Sequence, residues 1–284
     1  MKLKIFMLAF CAGFAIFFSV AAVFVYRYSD YVQSPEEPSA EEDSAPAFAE
    51  KTALLLIFEE DGKTGPFSVV CFDGEKGRIP VISFPAEVVF ESVPGKKTAG
   101  ELFSSLSRKD FLSAAERELG IKISAWFLWN KATCEEVISK AGAFDYILPK
   151  DLYYSDGERY INLSAGVQSV TGKKFYDMIT YPGFDQIDRC DTASRLISIF
   201  LGRRLRRFAP EGAVLSSAVY ESTENSADAF FRAELHGIIA GLCSEKKPVA
   251  SHVTCDLEPF EEGVFRFSKS TRERFIKYFP PLSE

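Results

Sequence analysis

A strand end and three basic clusters are the parts of this sequence best suited to charge-based chemistry. The stretch VISFPAEVVF, residues 81–90, has the Val, Ile and Phe content of a buried strand and is interrupted at Pro85-Ala86-Glu87. A side chain at the end of a buried strand is held rigidly and exposed by the following loop, so Glu87 is well placed to act in a site. Clustered cations are what an anionic ligand such as a phosphate requires. The basic clusters are Lys96-Lys97, Lys173-Lys174 and GRRLRR at residues 202–207.

The basic clusters also have a plain structural explanation. Arg203 and Arg204 follow an apolar helical run, where cations interact favourably with the negative end of the helix dipole. We keep both as candidate ligand-binding residues beside that explanation. Other common chemistry is missing, because the sequence has no P-loop, no Gly-x-Ser-x-Gly and no His-Glu-x-x-His motif. The two histidines, His236 and His252, fit no familiar zinc spacing, so we predict no metal site and no catalytic residue.

The charge of the chain is concentrated near its N-terminus. The net charge is −7, but residues 27–50 alone carry seven acidic side chains against the single base Arg27. Lys2 and Lys4 are the only other charges before them, so residues 51–284 keep a net charge of −3. This lacks the basic excess typical of nucleic-acid-binding domains, and we predict no nucleic-acid partner.

Residues 5–26 are predicted to form a transmembrane helix. The run from Ile5 to Val25 has 21 residues without a charge, and a helix of that length spans about 31 Å, close to the hydrocarbon thickness of a bilayer. The lysines of the stub at residues 1–4 favour a cytoplasmic N-terminus. A signal peptide cleaved after Ser19-Val20-Ala21 is the alternative. The first possibility makes this a single-pass protein of the cell membrane, and both place the main domain outside the cytoplasm.

An acidic stretch rich in Pro and Ser follows at residues 27–50. It has no apolar period, and a segment that cannot bury apolar surface cannot offset the entropy lost on ordering. We therefore predict a disordered acidic tether there, followed by one extracytoplasmic domain over residues 51–284.

Strands and helices alternate along that domain. This order is typical of a single layered α/β domain with a central mixed β-sheet covered by helices, which is the fold class we predict. Residues 73–77 carry the turn chemistry of a hairpin. Strands are expected near residues 52–58, 66–72, 78–84, 121–130, 144–147, 160–163, 248–255 and 262–267, and helices near 99–120 (in two pieces), 131–142, 171–179, 191–207, 226–243 and 270–278.

Cysteine and aromatic residues refine the picture of the core. Five cysteines lie beyond the membrane segment without a CxxC motif, so no disulfide framework is expected, although a Cys243–Cys255 pair is left open. Cys134 belongs to an apolar helical stripe and is predicted to pack inside. Trp126 and Trp129 lie three apart in a predicted strand and should face opposite sides of the sheet. The 27 phenylalanines fit either a thick core or a lipid-lined groove.

Several stretches, taken in order, resemble the LytR-CpsA-Psr family. LLLIF (54–58) and FSVVCFDGEKGRIPVISFP (67–85) are similar to its opening strands, which end in a Ser-x-Pro-Arg-Asp signature. GKKTAGELFSSL (95–106) and residues 119–157 match its helix, strand and helix in spacing. NLSAGVQSVTGKKFYDMITY (162–181) resembles its Leu-x-x-Gly-x-Gln-x-Leu-x-Gly segment. The resemblance implies transfer of glycopolymers from a polyprenyl-pyrophosphate carrier onto peptidoglycan, with the lipid tail between sheet and helices and the pyrophosphate held by arginines and a magnesium ion on aspartates.

This sequence departs from the family at the charged positions. Ala86 and Glu87 stand where the signature arginine and aspartate belong, and Gly65 aligns with a magnesium-binding aspartate. Expected arginines are replaced at Thr180, Pro182, Asp188 and Asp191. Residues at family-like positions are Lys97 and Asp185, which join Arg203 and Arg204 as the candidate ligand-binding residues.

The missing cations predict a protein that does not catalyse transfer. Removing one preorganised electrostatic contact costs about 10²–10³ in rate, and two independent losses leave roughly 10⁻⁴ or less of normal turnover. We therefore predict a membrane-anchored, non-catalytic binding or scaffolding protein of the cell envelope, with polyprenyl-linked glycan or cell-wall polymer as its ligand and no cofactor. Two alternatives stay open: an active transferase that uses a rearranged basic site and Mg²⁺, and a purely structural envelope protein.

Overall fold

A mixed five-stranded sheet forms the centre of the fold in this computed structural model, which describes residues 51–60, 62–208, 220–221, 223–245 and 248–282. In spatial order its strands are Ala125–Trp129 (β4), Lys51–Glu60 (β1), Lys63–Asp73 (β2), Arg78–Phe84 (β3) and Val249–Val253 (β9). The β1–β2 and β2–β3 pairs are antiparallel, whereas β4 and β9 add parallel to β1 and β3. The sheet is therefore mixed, as predicted.

Three two-stranded sheets and seven helices of the described residues surround this sheet. The small sheets pair Phe144–Leu148 (β5) with Gly166–Val170 (β8), Leu152–Ser155 (β6) with Tyr160–Leu163 (β7), and Leu257–Glu261 (β10) with Val264–Phe267 (β11). The helices are Ala99–Ser105 (α1), Arg108–Leu119 (α2), Lys131–Ala141 (α3), Gly172–Ile179 (α4), Gln186–Arg204 (α5), Ala229–Glu245 (α6) and Lys269–Tyr278 (α7), and a 3₁₀ turn at Leu205–Phe208 follows α5.

The predicted membrane segment and the tether lie outside the described residues. Within the described part of the chain, no helix is both long and apolar enough to cross a bilayer.

Side-chain caps fix where most of the helices begin. Thr98 and Glu101 form a reciprocal capping box at α1, in which each side chain satisfies a backbone N–H that the helix leaves unpaired. Gly120 ends α2 in the left-handed conformation, with φ of 67°, which confirms the predicted stop. Further N-caps are Ser107, Asn130, Thr171, Asp185 and Ser268.

Alternate residues of β1 point to the two sides of the sheet. One side, with Leu54 and Leu56, packs against α3, α4, α5 and α6, and we call it the α5 face. The other side, with Leu55, packs against α1, α2 and α7, and we call it the α2 face. Trp129 is buried on the α5 face and Trp126 on the α2 face, so the prediction that they face opposite sides is confirmed.

The sequence-predicted elements are confirmed with three differences. The strand predicted at 121–130 begins only at Ala125, because Lys122 donates its backbone N–H to Pro280 at 2.9 Å and Ile121 pairs with the C-terminal segment instead. The helix predicted at 191–207 begins earlier, at Gln186, because the Asp185 carboxylate accepts from the Asp188 N–H at 2.7 Å. The strand predicted at 262–267 is the second half of the β10–β11 hairpin, and β6, β8 and β10 were not predicted.

The cysteines of the described residues are free thiols, so the Cys243–Cys255 pair that the sequence left open is not formed. Cys134 is fully buried on the α5 face, as its helical stripe predicted. Burial raises the pKa of the Cys71 thiol to about 12, and the nearby Asp73 carboxylate adds to that shift. Such a thiol stays protonated at neutral pH and behaves as an apolar core group.

Candidate functional site

Five charged side chains, that of Glu60 among them, meet at the end of β1, whose last residue is Glu60. The Glu60 carboxylate pairs with Arg159 and lies 3.9 Å from an Nη atom of Arg189. The Arg159 guanidinium also lies 3.5 Å from Asp177, which in turn pairs with Lys173 at 2.8 Å. We call these residues the Glu60 cluster. Elements distant in sequence, β1, the β6–β7 hairpin, α4 and α5, are joined by it.

Arg159 reaches a position at which the family resemblance calls for an arginine. Its Nη2 donates to the Thr180 hydroxyl at 2.5 Å and its Nη1 donates to the Thr180 carbonyl at 3.3 Å. A turn holds this arginine in place, since the Asp156 carboxylate accepts the Arg159 backbone N–H at 2.7 Å. That hydrogen bond, with another from the Tyr154 hydroxyl, lowers the pKa of Asp156. A guanidinium group therefore lies against Thr180, although it comes from elsewhere in the chain.

The cations of the Glu60 cluster are largely neutralised. Two carboxylates face two guanidinium groups and one ammonium group, so the cluster carries a net charge of +1. The side chains of Glu60 and Arg159 are each 22% exposed, and that of Asp177 is 7% exposed. Water screens such pairs less than surface pairs, so the Arg159 guanidinium is held by its two carboxylate partners. A free basic clamp is not formed by these residues.

The end of β3 is followed by Glu87, a carboxylate with one buried oxygen. Glu87 Oε1 accepts a hydrogen bond from Gln186 Nε2 at 2.9 Å, and Glu87 Oε2 is buried without a partner among the described residues. The Glu87 backbone carbonyl accepts from the Phe265 N–H at 3.1 Å. Glu87 thus ties β3 to α5 and β11, and it presents no positive charge.

The acids at the two expected arginine positions of α5 form their own ion pairs. Asp188 lies 3.3 Å from the Lys150 ammonium, and Asp191 lies 2.6 Å from Arg195 and 4.0 Å from His252. Desolvation and the nearby Arg195 lower the pKa of His252, while Asp191 opposes that shift. His252 is consequently neutral at pH 7, and this part of α5 offers paired charges of both signs.

The candidate ligand-binding residues of α5 lie at its two ends. Asp185 caps the start of α5 and Arg203 lies near its end, and a helix of 19 residues separates them by roughly 27 Å. Arg203 lies 3.6 Å from Asp145, while Arg204 donates to the carbonyls of Gly142 and Ala143. Lys97 is exposed in the loop before α1. Capping and helix packing account for Asp185 and Arg204.

The residues at the family's magnesium positions do not fit a magnesium ion. Position 65 is a glycine without a donor side chain, and a Cβ there would lie 3.1 Å from the Phe58 carbonyl oxygen. Among the described residues, no group of three or more His, Cys, Asp or Glu side chains is arranged to hold a metal. Hard cations need several carboxylate or carbonyl oxygens, so we assign no metal role to this site.

An apolar cavity of about 90 Å³ lies on the α5 face, between the sheet and the helices. Its wall includes Leu54 and Val70 from the sheet, Ile197 from α5 and Ile239 from α6. None of the described residues that line it carries a charge. Burial raises the pKa of Tyr220, also in the wall, to about 12. This cavity occupies the layer in which the family resemblance places a lipid tail.

Sequence reasoning did not single out Arg159. It lies in the turn before β7, in a segment that also carries acidic residues, and no motif separates it from ordinary loop charge. Arg189 was likewise missed, although it directly follows Asp188, the position at which an arginine was expected. In the sequence, the only signal for Arg189 was its offset of one residue from the expected arginine position, 188.

Comparison with known proteins places this geometry in a known fold. No family model and no curated protein matches the chain, whereas solved structures do. A protein from Eubacterium siraeum DSM 15702 superposes with a TM-score of 0.73 at 13% identity, covering 86% of this chain and 98% of that chain. TagV of B. subtilis gives 0.65 at 14% identity over 80% and 95% of the two chains. TagT bound to LI-WTA gives 0.62 at 12% identity over 80% and 88%. TagV and TagT are LytR-CpsA-Psr enzymes, so the described domain has the LytR-CpsA-Psr fold that the sequence predicted.

Proposed function

We propose that this protein is a membrane-anchored binding protein of the cell envelope that has the LytR-CpsA-Psr fold without transferase activity. Its ligand is a glycan carried on a polyprenyl lipid, and the apolar tail enters the cavity of the α5 face. The observation that carries the proposal is the pairing of Arg159 with both Glu60 and Asp177.

Transfer from a pyrophosphate carrier needs cations that are free to meet the leaving group. Negative charge grows on that group in the transition state, and preorganised guanidinium groups stabilise it. Arg159 is already bound by two carboxylates, and two like unit charges 4 Å apart repel by about 4 kcal/mol at an effective dielectric constant of 20. A pyrophosphate brought to the Glu60 cluster therefore meets repulsion from Glu60 and Asp177 that offsets the attraction of the arginines.

The lipid part of the proposal rests on the lining of the cavity. Apolar side chains form its wall, and burial of each CH₂ group of a tail there is worth about 0.8 kcal/mol. At about 90 Å³ the cavity is smaller than the engineered cavity of about 150 Å³ that takes up benzene. A long tail consequently enters only if wall side chains from α5 or α6 move apart.

Binding and transfer are separated by one assay on the full chain. The protein is incubated with a radiolabelled polyprenyl-pyrophosphate-linked saccharide, an acceptor glycan and Mg²⁺, and bound and transferred label are measured in parallel. We expect saturable binding and no transfer above background. Replacing Val70 by Phe, which fills the cavity, should abolish binding, whereas Val69→Ile on the α2 face is the control for a change at the neighbouring position of the strand. Transfer at the rate of a complete family member contradicts the proposal, and absence of both signals favours a purely structural envelope protein.

A second candidate function, transfer with a rearranged basic site, is favoured by one contact. Arg159 lies against Thr180, where the family resemblance expects an arginine. If Arg159 serves catalysis, Arg159→Lys loses most of the wild-type transfer because the bidentate fork is lost. If the site has no catalytic role, Glu60→Gln frees the Arg159 guanidinium from one of its carboxylate partners. The affinity for inorganic pyrophosphate should then rise about tenfold, equivalent to about 1.4 kcal/mol. Pyrophosphate titration of wild-type, Glu60→Gln and Arg159→Lys proteins distinguishes the two cases.

A further inference from the structure

Two tyrosine side chains are exposed together on the outer face of the β6–β7 hairpin. Tyr153 is 65% exposed and Tyr160 is 58% exposed. Their ring centroids lie 6.2 Å apart, and the ring planes are nearly perpendicular, at 89°. Tyr153 lies directly opposite Asn162 in the hairpin, and Tyr160 lies two residues before Asn162 in β7. The two tyrosines are therefore diagonal neighbours on one face.

The outer face of this hairpin carries polar groups but no charge. Alternate residues of β6 and β7 point outward, and all four of these side chains are exposed: Tyr153, Ser155, Tyr160 and Asn162. Their hydroxyl and amide groups both donate and accept hydrogen bonds. Leu152 and Ile161, on the opposite face, are buried. We call the four outward side chains the tyrosine face.

Hydrogen bonds hold the tyrosine face in one arrangement. Asn162 Nδ2 donates to the Tyr160 hydroxyl at 3.0 Å. The Tyr181 hydroxyl donates to the Tyr153 carbonyl at 2.9 Å and accepts the Tyr153 backbone N–H at 3.2 Å. Rings that are already held in place lose little conformational entropy when a ligand binds, so more of the contact energy appears as affinity.

Perpendicular aromatic rings bordered by polar groups suit a sugar ring. An uncharged pyranose presents C–H bonds on its faces and hydroxyl groups around its rim. The C–H bonds carry a small positive charge and pack on the negative face of an aromatic ring. The rim hydroxyls reach phenol and amide groups such as those of Tyr160 and Asn162. A purely apolar partner would instead remove these polar groups from water without replacing their hydrogen bonds, which is costly.

The hairpin also places the tyrosine face next to the Glu60 cluster. Arg159, a member of that cluster, directly precedes Tyr160. The Arg159 guanidinium contacts Glu60 and Asp177, whereas the Tyr160 ring is exposed. A glycan on the tyrosine face therefore lies beside the residues that occupy the candidate site.

We propose that the tyrosine face binds a chain of uncharged pyranose rings, one of which packs in the corner between the Tyr153 and Tyr160 rings. This inference rests on the proposed function, because it says where the glycan part of that ligand binds.

Soluble saccharides without a lipid test the tyrosine face by itself. The full chain is labelled with ¹³C in its 11 tyrosine rings and kept in a detergent without a sugar head group. Chitotetraose and cellotetraose are the probes, and mannitol is the matched control ligand because it has hydroxyl groups without a ring. We expect both tetrasaccharides to shift the Tyr153 and Tyr160 ring signals, and mannitol to shift neither.

Variants then separate ring packing from other contacts. Tyr153→Leu and Tyr160→Leu should each weaken tetrasaccharide binding about tenfold, or about 1.4 kcal/mol. Tyr153→Phe keeps the ring and should weaken binding less than about twofold. Ile147, which is 73% exposed on the β5–β8 sheet, supplies the matched control. Ile147→Ala also removes an exposed apolar side chain from a two-stranded sheet and should leave the affinity unchanged.

Every outcome bears on the inference. Tyrosine signals of the wild-type protein that respond to neither tetrasaccharide overturn it, as do equal shifts with mannitol. A loss in Ile147→Ala as large as in the two leucine variants also overturns it, because it indicates non-specific contact.

Two outcomes separate this inference from the proposed function. If the lipid-linked saccharide binds and the soluble tetrasaccharides do not, the inference fails while the proposed function stands. If the tetrasaccharides bind as expected and Val70→Phe leaves binding of the lipid-linked saccharide unchanged, the lipid part of the proposed function fails while this inference stands.

Discussion

The two faces of the central sheet are packed in different ways. On the α2 face, phenylalanine rings contact one another closely, with centroids 5.3 Å apart for Phe67 and Phe84 and 5.2 Å apart for Phe103 and Phe111. On the α5 face, the sheet and helices leave a cavity whose wall includes Phe127 and Tyr220, with centroids 6.0 Å apart. The same strands supply both faces, so the helices that cover them make the difference.

This contrast indicates that the two faces have different roles: the α2 face mainly stabilises the domain, and the α5 face provides a cavity. A densely packed core gains dispersion contacts that an empty space forfeits, so the α2 face stabilises the domain more per side chain. The α5 face gives up part of that stability around the cavity and leaves two nitrogens, Nε1 of Trp129 and Nε2 of His236, without a partner among the described residues. Loss of stability at one place in a fold is typical of a binding region.

The largest predicted effect compares a phenylalanine truncation on each face. Phe111→Ala on the α2 face should lower the free energy of unfolding by about 3–5 kcal/mol, because three other phenylalanine rings contact Phe111. Phe127→Ala should cost less, about 2–3 kcal/mol, because part of its surface already faces the cavity. Urea unfolding of both variants measures the difference. Equal losses would show that the cavity does not weaken the packing of the α5 face.

A smaller effect is expected from adding one methylene on each face. Val69 and Val70 are neighbours in β2 and point to the α2 face and to the cavity, respectively. Val69→Ile should destabilise by about 1–2 kcal/mol through overpacking, whereas Val70→Ile should be neutral or stabilise by about 0.5 kcal/mol because the cavity has room. Thermal unfolding at one pH tests the pair, and destabilisation by Val70→Ile would contradict an open cavity.

The smallest effect concerns ionisation at the cavity wall. Burial raises the pKa of Tyr220 to about 12, and the guanidinium of Arg232, 4.4 Å from its ring centroid, opposes that shift. The folded protein thus holds the phenol proton more tightly than the unfolded chain, whose tyrosine pKa is about 10. Stability from this group is fully present below pH 10 and is lost as the pH rises from 10 towards 12. Ultraviolet titration of wild-type and Tyr220→Phe proteins should differ by one phenol that ionises near pH 12, and a difference centred near pH 10 would place Tyr220 in water.

Much of the fold was predictable because short-range periodicity decides it. The apolar runs of β1 and β2 and the end of α2 at Gly120 are local features, and each appears in the structure where the sequence placed it. The short strands β6, β8 and β10 were missed because each has only four or five residues with few buried side chains. Pairing partners in three dimensions, more than propensity, make such segments strands.

From the sequence, only the absence of arginines at the expected positions of the candidate site was predictable. Replacement of the expected arginines could be read from single positions such as Thr180 and Asp188. The positions of the remaining cations could not be read from the sequence, because Arg159 and Thr180 are brought together by the packing of a hairpin against α4. The sequence also gave no sign that Arg159 is held by carboxylates from β1 and α4.

By itself, the sequence determined a mixed sheet between helices and the opposite orientations of Trp126 and Trp129, because each follows from neighbouring residues and fixed periods. Only the tertiary structure decided that two arginines converge on Glu60 and that Trp129 and His236 border one cavity with unpaired nitrogens. An empty volume and an unmet hydrogen bond depend on the joint placement of many side chains from distant elements, and no local pattern encodes that sum.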